Sequence, residues 1–180
     1  MKKLLIVALS IASLYAYKLD TFKEDIAVDV GKIQGIFKSE SANKSQDLFE
    51  LLKDNLDIDL MTKLVLSKYA NELSAEKLAE FKVIFIERLK KDFSSKIDLV
   101  KGSSLELVST NIDDKKCQAN MKVDYEEQTK EMVFKFRKVA NECKLYDIDI
   151  LNTSLITSYR AQFLDIIKQS GINALFEKLK

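Results

Sequence analysis

The chain contains no histidine, and that absence excludes more chemistry than any residue present in it supplies. Imidazole is the side chain that titrates near neutrality. Without it there is no usual general base, no Ser-His-acid arrangement and none of the commonest zinc ligand. Glycine is scarce as well: four in 180 residues leave no Gly-rich loop to cradle a phosphate. Neither HExxH nor GxSxG occurs, and no Asp or Glu falls in a recognisable catalytic motif. The composition points away from an enzyme, and no catalytic residue, metal ligand or cofactor is assigned. Charge of one sign is also lacking. The formal net charge is +1, and it stays near zero without Lys2 and Lys3. Nucleic acid is therefore not expected as a partner, because its binding draws on a basic face that neutralises phosphates.

The one long hydrophobic run is at the start. Met1-Lys2-Lys3 followed by Leu4 to Tyr15 reads as the basic and apolar regions of an export signal, with Ala16 as the small residue at the cut. A membrane anchor needs about 20 apolar residues, and Lys18, Asp20 and Lys23 interrupt too soon. Leu14, the third residue before the cut, is larger than the residue usual there. The expected organisation is a signal peptide over 1–16, cleaved on export, and one domain over 17–180, long enough for a real core.

Cysteine is limited to Cys117 and Cys143. Outside the cytoplasm a disulfide between them is allowed. Strand alternation complicates it, because Cys117 shares a face with Ala119, Met121 and Val123 whereas Cys143 is out of phase with Tyr146, Ile148 and Ile150. Two strands flanking a common neighbour also lie about 10 Å apart, beyond disulfide reach unless a twist or bulge closes the gap. At this level both the bonded and the free state stay open.

The first half of the chain reads as helices. Phe22, Ile26, Val30, Ile33 and Phe37 recur at three- and four-residue steps. A second helix begins at Asn43, with Gln46 placed for a capping box, and Leu60 to Tyr69 continues helically. Ser74 caps the longest pattern, in which Leu78, Phe81, Phe85, Leu89, Phe93 and Ile97 form one stripe while Val83, Ile84 and Ile86 widen it. A helix dry over that much of its girth is expected to be covered on two sides. Gly102 ends the helical half.

Four strands follow at Leu105–Ile112, Cys117–Tyr125, Met132–Val139 and Leu145–Ile150, joined by short polar turns that suit an antiparallel meander. On the second, Ala119, Met121, Val123 and Tyr125 alternate with polar residues; on the third, Met132, Phe134 and Phe136 do. On the fourth, Tyr146, Ile148 and Ile150 mark the dry face and Asp147 and Asp149 the wet one. Asn152, Thr153 and Ser154 then start a helix carrying Leu155, Ile156, Tyr159, Phe163, Ile166 and Ile167. Gly171 stops it in a left-handed conformation, and Ile172, Leu175, Phe176 and Leu179 begin a short helix on a new axis. The fold class expected is α+β, a helical layer packed on a curved four-stranded antiparallel sheet, with an apolar cavity between them.

The run Tyr146-Asp147, Ser154, Tyr159-Arg160, Phe163, Gly171-Ile172 and Leu175 to Lys180 resembles the carboxy-terminal signature of the MlaC family, also called toluene-tolerance proteins. A weaker match lies at Tyr69, Ser74, Glu76 and Phe81. The chain has Asn152 where the family usually has Gly, and Ala75 where it has Pro at a helix start; both substitutions keep the geometry. The resemblance implies a periplasmic carrier of phospholipid. It implies as partners an outer-membrane lipoprotein complex and an inner-membrane ABC transporter complex with a membrane-anchored substrate-binding ring. Under that reading the wall around the acyl chains is Phe81, Phe85, Leu89, Phe93, Met121, Val123, Phe134, Phe136, Ile148 and Ile150, with Tyr159 beside it. Lys135, Arg137, Tyr159 and Arg160 are the candidates for a headgroup rim, although Lys135 and Arg137 sit on the polar face of their strand. The competing reading is a periplasmic protein-interaction module with the same fold, a filled core and no lipid cargo.

Overall fold

The structure is a computed structural model that describes residues 16–99, 104–125, 127–150 and 152–180, with the backbone alone for 93–99 and Tyr125. The leader expected over 1–16, apart from Ala16, and Gly102 lie outside the described residues. A short strand β1 (Tyr17–Lys18) precedes the helices α1 (Phe22–Lys38), α2 (Lys44–Leu52), α3 (Ile58–Leu66) and α4 (Ala75–Leu99). Strands β2 (Leu105–Ile112), β3 (Lys116–Tyr125), β4 (Gln128–Val139) and β5 (Glu142–Ile150) form the meander. The two-residue β6 (Thr153–Ser154) and the helix α5 (Leu155–Leu179) follow. Every pairing between these strands is antiparallel, in the order β1-β5-β4-β3-β2, with β6 beside β5.

The α+β architecture matches the sequence expectation, with five strands along the sheet where four were expected. β1 and β6 are too short to show any alternation. Helix α1 lies against β2 and β1, α3 and α5 against β5, and α4 against α2, α3 and α5. The core is one contiguous body of buried side chains drawn from all five helices and the inner face of the sheet.

Two β-bulges curl the sheet. Val108 is the extra residue between Leu107 and Ser109 on β2, and Tyr146 is the extra residue on β5, where Lys135 pairs with Asp147 but Phe136 pairs with Leu145. A bulge sets two residues against one, so it reverses the alternation along its strand and increases the twist. Before Tyr146 the odd positions Cys143 and Leu145 are buried; after it Ile148 is. That reversal resolves the phase conflict at Cys143. Cys117 and Cys143 are bonded, with Cα atoms 6.1 Å apart across the intervening β4. A flat sheet would hold them about 10 Å apart, so the shortfall measures the curl.

Asp147 stays on the outer face of β5 with Asp149, but it is 6% exposed rather than wet, because the start of α5 and Lys135 cover it. Its Oδ1 accepts the Ile156 backbone N–H at 3.0 Å and its Oδ2 accepts the Ser154 hydroxyl at 2.8 Å, while Ser154 Oγ accepts the Thr157 N–H. Asp147 therefore completes the N-terminal cap of α5, satisfying donors that the first turn leaves without partners. Asn152 takes the positive φ of 64° that its turn requires, and α4 begins at Ala75 with Ser74 Oγ accepting the Lys77 N–H.

Three further expectations are corrected. Asn43 precedes α2 without a side-chain cap, because Gln46 donates to Glu50 along the helix instead of closing a box. Val83 is 64% exposed, since the helices beside α4 cover Phe81, Ile84 and Phe85 and leave its far side to solvent. Gly171 does break α5, but at φ 80° and ψ 167°. That is the mirror-extended region open essentially to glycine alone, not the left-handed helical one.

Candidate functional site

The inner face of the sheet is built by alternation and completed by register. Ala119 stands opposite Phe134 and Met121 opposite Met132, while Phe134 and Met132 pair on their other side with Ile148 and Ile150. Ala119, Met121, Val123, Met132, Phe134, Phe136 and Ile148 are all buried, and Ile150 is half-buried. The intervening Gln118, Asn120 and Lys122 turn outward, where Asn120 bonds Ser109 and Gln118, and the row meets polar residues at its margins, with Lys130 opposite Val123 and Thr110 opposite Ala119.

Opposite it the helices contribute rings. Phe81 and Phe85, one turn apart on α4, stack at 5.8 Å. Phe163 of α5 meets both edge-on, at 5.9 and 6.0 Å, and Tyr159 meets Phe85 at 5.4 Å. Phe176, beyond the Gly171 break, reaches Phe81 at 5.8 Å. Offset and edge-on contacts at these separations suit the ring quadrupole, adding about 0.5–1.5 kcal/mol per pair to the area buried. Phe136 belongs to a different group, edge-on to Phe22 at 5.1 Å and to Tyr17 at 5.5 Å.

The sequence-predicted wall is therefore brought into one core but into distinct neighbourhoods. Phe81, Phe85 and Tyr159 form a helical aromatic cluster. Met121, Phe134, Ile148 and Ile150 line the middle of the sheet, and Phe136 joins the β1–α1 corner. Leu89 and Val123 are fully buried in the same core, and Phe93 lies outside the residues whose side chains are described. Sequence reasoning left Phe163 and Phe176 out of the wall, although their spacing from Tyr159 and Leu175 was visible; what was not visible is that both meet Phe81.

The rim candidates have other occupations. Lys135 donates to Asp149 at 2.7 Å and to Asp147 at 3.2 Å. Burial opposes its charge, but the hydrogen bonds to the two carboxylates outweigh that and leave its pKa raised. Arg137 Nε and Nη2 both reach Asp57 Oδ2, at 2.7 and 2.6 Å, and Asp57 Oδ1 caps α3 by accepting the Leu60 N–H. These two cations thus fasten the sheet to the starts of α5 and α3. Tyr159 donates to Asp92, which also pairs with Arg88, so its hydroxyl ties α5 to α4. Burial, then the hydrogen bond to the carboxylate, push the Tyr159 phenol well above its ordinary range. Among the described residues Arg160, half-buried, makes no ion pair.

The buried charged groups each have partners. Asp29 accepts from the Tyr17 hydroxyl and Lys32, Asp57 from Arg137, and Asp147 from Lys135 and Ser154. Between them lies a region of Phe, Met, Leu, Ile and Ala side chains.

The family model for MlaC protein matches residues 23–180. The chain belongs to the MlaC family. Among curated proteins none matches it. Among solved structures, a phospholipid-binding protein from Ralstonia solanacearum, in complex with a phospholipid, is similar at TM-score 0.70 and 20% identity, covering 91% of this chain and 95% of that one. At that identity the likeness is one of fold. In this member of the MlaC family the Asn152 turn and the Ala75 helix start keep the expected backbone. No described helix is long and apolar enough to cross a membrane.

Proposed function

We propose that this MlaC-family protein binds phospholipid, enclosing the acyl chains between the inner face of the sheet and the helical layer. The observation that carries the reading is the apolar row across the middle of the sheet, facing the ring cluster, with the buried charges each held by partners of their own. Phe, Met and Leu side chains can be parted without orphaning a polar group, so a tail that slides between them replaces one apolar contact with another. Phe81, Phe85, Leu89, Met121, Val123, Phe134, Phe136, Ile148, Ile150 and Tyr159 form the proposed wall.

The work done is exclusion of water. Burying tails is worth about 0.8 kcal/mol per CH₂, so two ~16-carbon chains gain on the order of 25 kcal/mol gross over exposure to water. That magnitude keeps a lone lipid in its bilayer, and a protein that encloses the tails removes most of the barrier without a catalytic group. Carriage between outer and inner membranes, maintaining outer-membrane lipid asymmetry, follows as the fuller proposal. It includes export to the periplasm on a cleaved signal peptide over 1–16, a lipid-binding domain over 17–180, and docking to an outer-membrane lipoprotein complex and to an inner-membrane ABC transporter complex. The similarity to a fold solved with phospholipid and the family membership support it.

Native mass spectrometry of protein purified from cells, followed by organic extraction, tests the reading. Phospholipid at about one per chain is expected. Protein that arrives empty and takes up no fluorescent diacyl probe from vesicles overturns it in favour of an interaction module with a filled core. Release of lysolipid or fatty acid on incubation would instead indicate an enzyme.

A further inference from the structure

The backbone of α5 is interrupted at Gly171, with φ 80° and ψ 167°, and nothing lies within 4 Å of where a Cβ would stand. The break is thus not forced by a neighbour crowding the chain. Gly171 and the three residues before it are exposed, so the junction itself is held by little. Beyond it, Leu175 and Phe176 are buried and Ile172 and Leu179 half-buried, which fixes the segment by one apolar edge.

The ring and charge contacts of this segment converge on the first turns of α4. Phe176 meets Phe81 edge-on at 5.8 Å, Lys77 Nζ stands 5.2 Å over the Phe176 ring, and Lys180 pairs with Glu80 at 3.1 Å. The two polar contacts are exposed and contribute little. The apolar edge therefore dominates, and it sits over the outermost link of a chain of rings. Phe81 passes to Phe85 and Phe163, and those to Tyr159. Phe81 and Phe85 are completely buried as the structure stands.

We propose that Ile172–Leu179 is a latch hinged at Gly171, closed on α4 through Phe176, and that lifting it uncovers Phe81 as the way by which an acyl chain reaches the interior. The hinge needs glycine because only glycine populates the observed dihedrals without strain. The latch needs few polar contacts because each must break when it opens. This inference rests on the proposed lipid binding and adds where the tails pass.

The test uses the full chain with Glu80→Cys and Lys180→Cys, joined by a short bis-maleimide. Cys117 and Cys143 are bonded to each other and buried, so the reagent reaches only the new thiols. Uptake of a fluorescent diacyl phosphatidylglycerol from vesicles is expected to slow at least tenfold after cross-linking. The same variant blocked with a monofunctional maleimide is expected to match the parent. Equal rates in the linked and unlinked forms overturn the latch. Native-state hydrogen exchange gives a lipid-independent outcome: amides after Gly171 are expected to open together and sooner than those of 159–168. Equal protection on both sides of Gly171 overturns the hinge whatever the uptake assay gives. If the parent takes up no lipid while exchange still shows the segment opening alone, the gating role falls and the fault lies in the proposed lipid binding.

Discussion

Loss of the Cys117–Cys143 bond is the perturbation whose size the structure fixes best. The bond closes a loop of 26 residues, for which the chain-entropy relation gives about 3.5 kcal/mol at 25 °C. The appropriate variant is Cys117→Ala with Cys143→Ala, because serine at either buried position would bring a hydroxyl in need of a partner. For a protein of this length a loss of that size lowers Tm by roughly 7–14 °C. The bond also holds β3 to β5 across the curl, and β5 pairs with β1 at Tyr17 and Cys143, so amides at 17–18 are expected to lose protection first. Calorimetric melts of the parent and the double variant, with hydrogen exchange on both, measure the effect. A shift below about 3 °C would refute the entropic account. Alkylation under denaturing, non-reducing conditions that labels both cysteines of the parent would refute the bond itself.

Asp147→Ala removes the acceptor for Ile156 N–H and the Ser154 hydroxyl and leaves Lys135 with Asp149 alone. Urea denaturation is expected to show a loss of about 2–4 kcal/mol. Phe85→Ala removes a fully buried ring with three aromatic neighbours and is expected to cost about 3–5 kcal/mol, whereas Val83→Lys, two residues away and exposed, stays within about 0.5 kcal/mol. If the two substitutions cost the same, the stated packing of α4 is wrong. Tyr17 and Tyr159 are both held above the ordinary phenol range, chiefly by burial and then by Asp29 and Asp92 respectively. Their folded pKa values exceed the unfolded one, so their contribution is complete below about pH 10 and declines as pH rises beyond it. Ultraviolet titration is expected to find two phenols that ionise only as the protein unfolds, and full reversible titration of all tyrosines in folded protein would contradict this.

Much of the fold was legible because long elements declare their period. α1, α4 and the four meander strands each carry enough apolar repeats that their spacing decides between helix and strand. Misreadings arose where a single residue changes the count. Alternation along β5 placed Cys143 out of phase with Ile148 because it assumes an uninterrupted strand, and the extra Tyr146 turns the residues before it over. Elements of two residues, such as β1 and β6, have no period to read. At the candidate site, Phe81 and Phe85 could be placed together from their spacing on one helix. Their meeting with Phe163 and Phe176 is a property of how two helices cross. The partners of Arg137 and Tyr159 were illegible for the same reason, since Asp57 and Asp92 lie 80 and 67 residues away in sequence. Lys135 shows the useful converse. Its place on the polar face of β4 was readable, and only the register of β5 reveals that it is fully engaged.

The pairing of Tyr17 with Cys143 has a bearing on how the polypeptide acquires its shape. The earliest strand to emerge from a synthesising or translocating machine must wait for one of the last before it has anything to bond with, and Phe22 waits with it for Phe136. Throughout that interval the Phe22 end of α1 lacks its cover from the sheet. Such long-range closure favours slow maturation and gives a general chaperone a binding opportunity. It also means that the β5 border is closed piecemeal, by β1 at Glu142 and Cys143, by Leu56 and Asp57 at Leu145 and by β6 at Asp149 and Ile150, which leaves a foreign strand no long free edge to join.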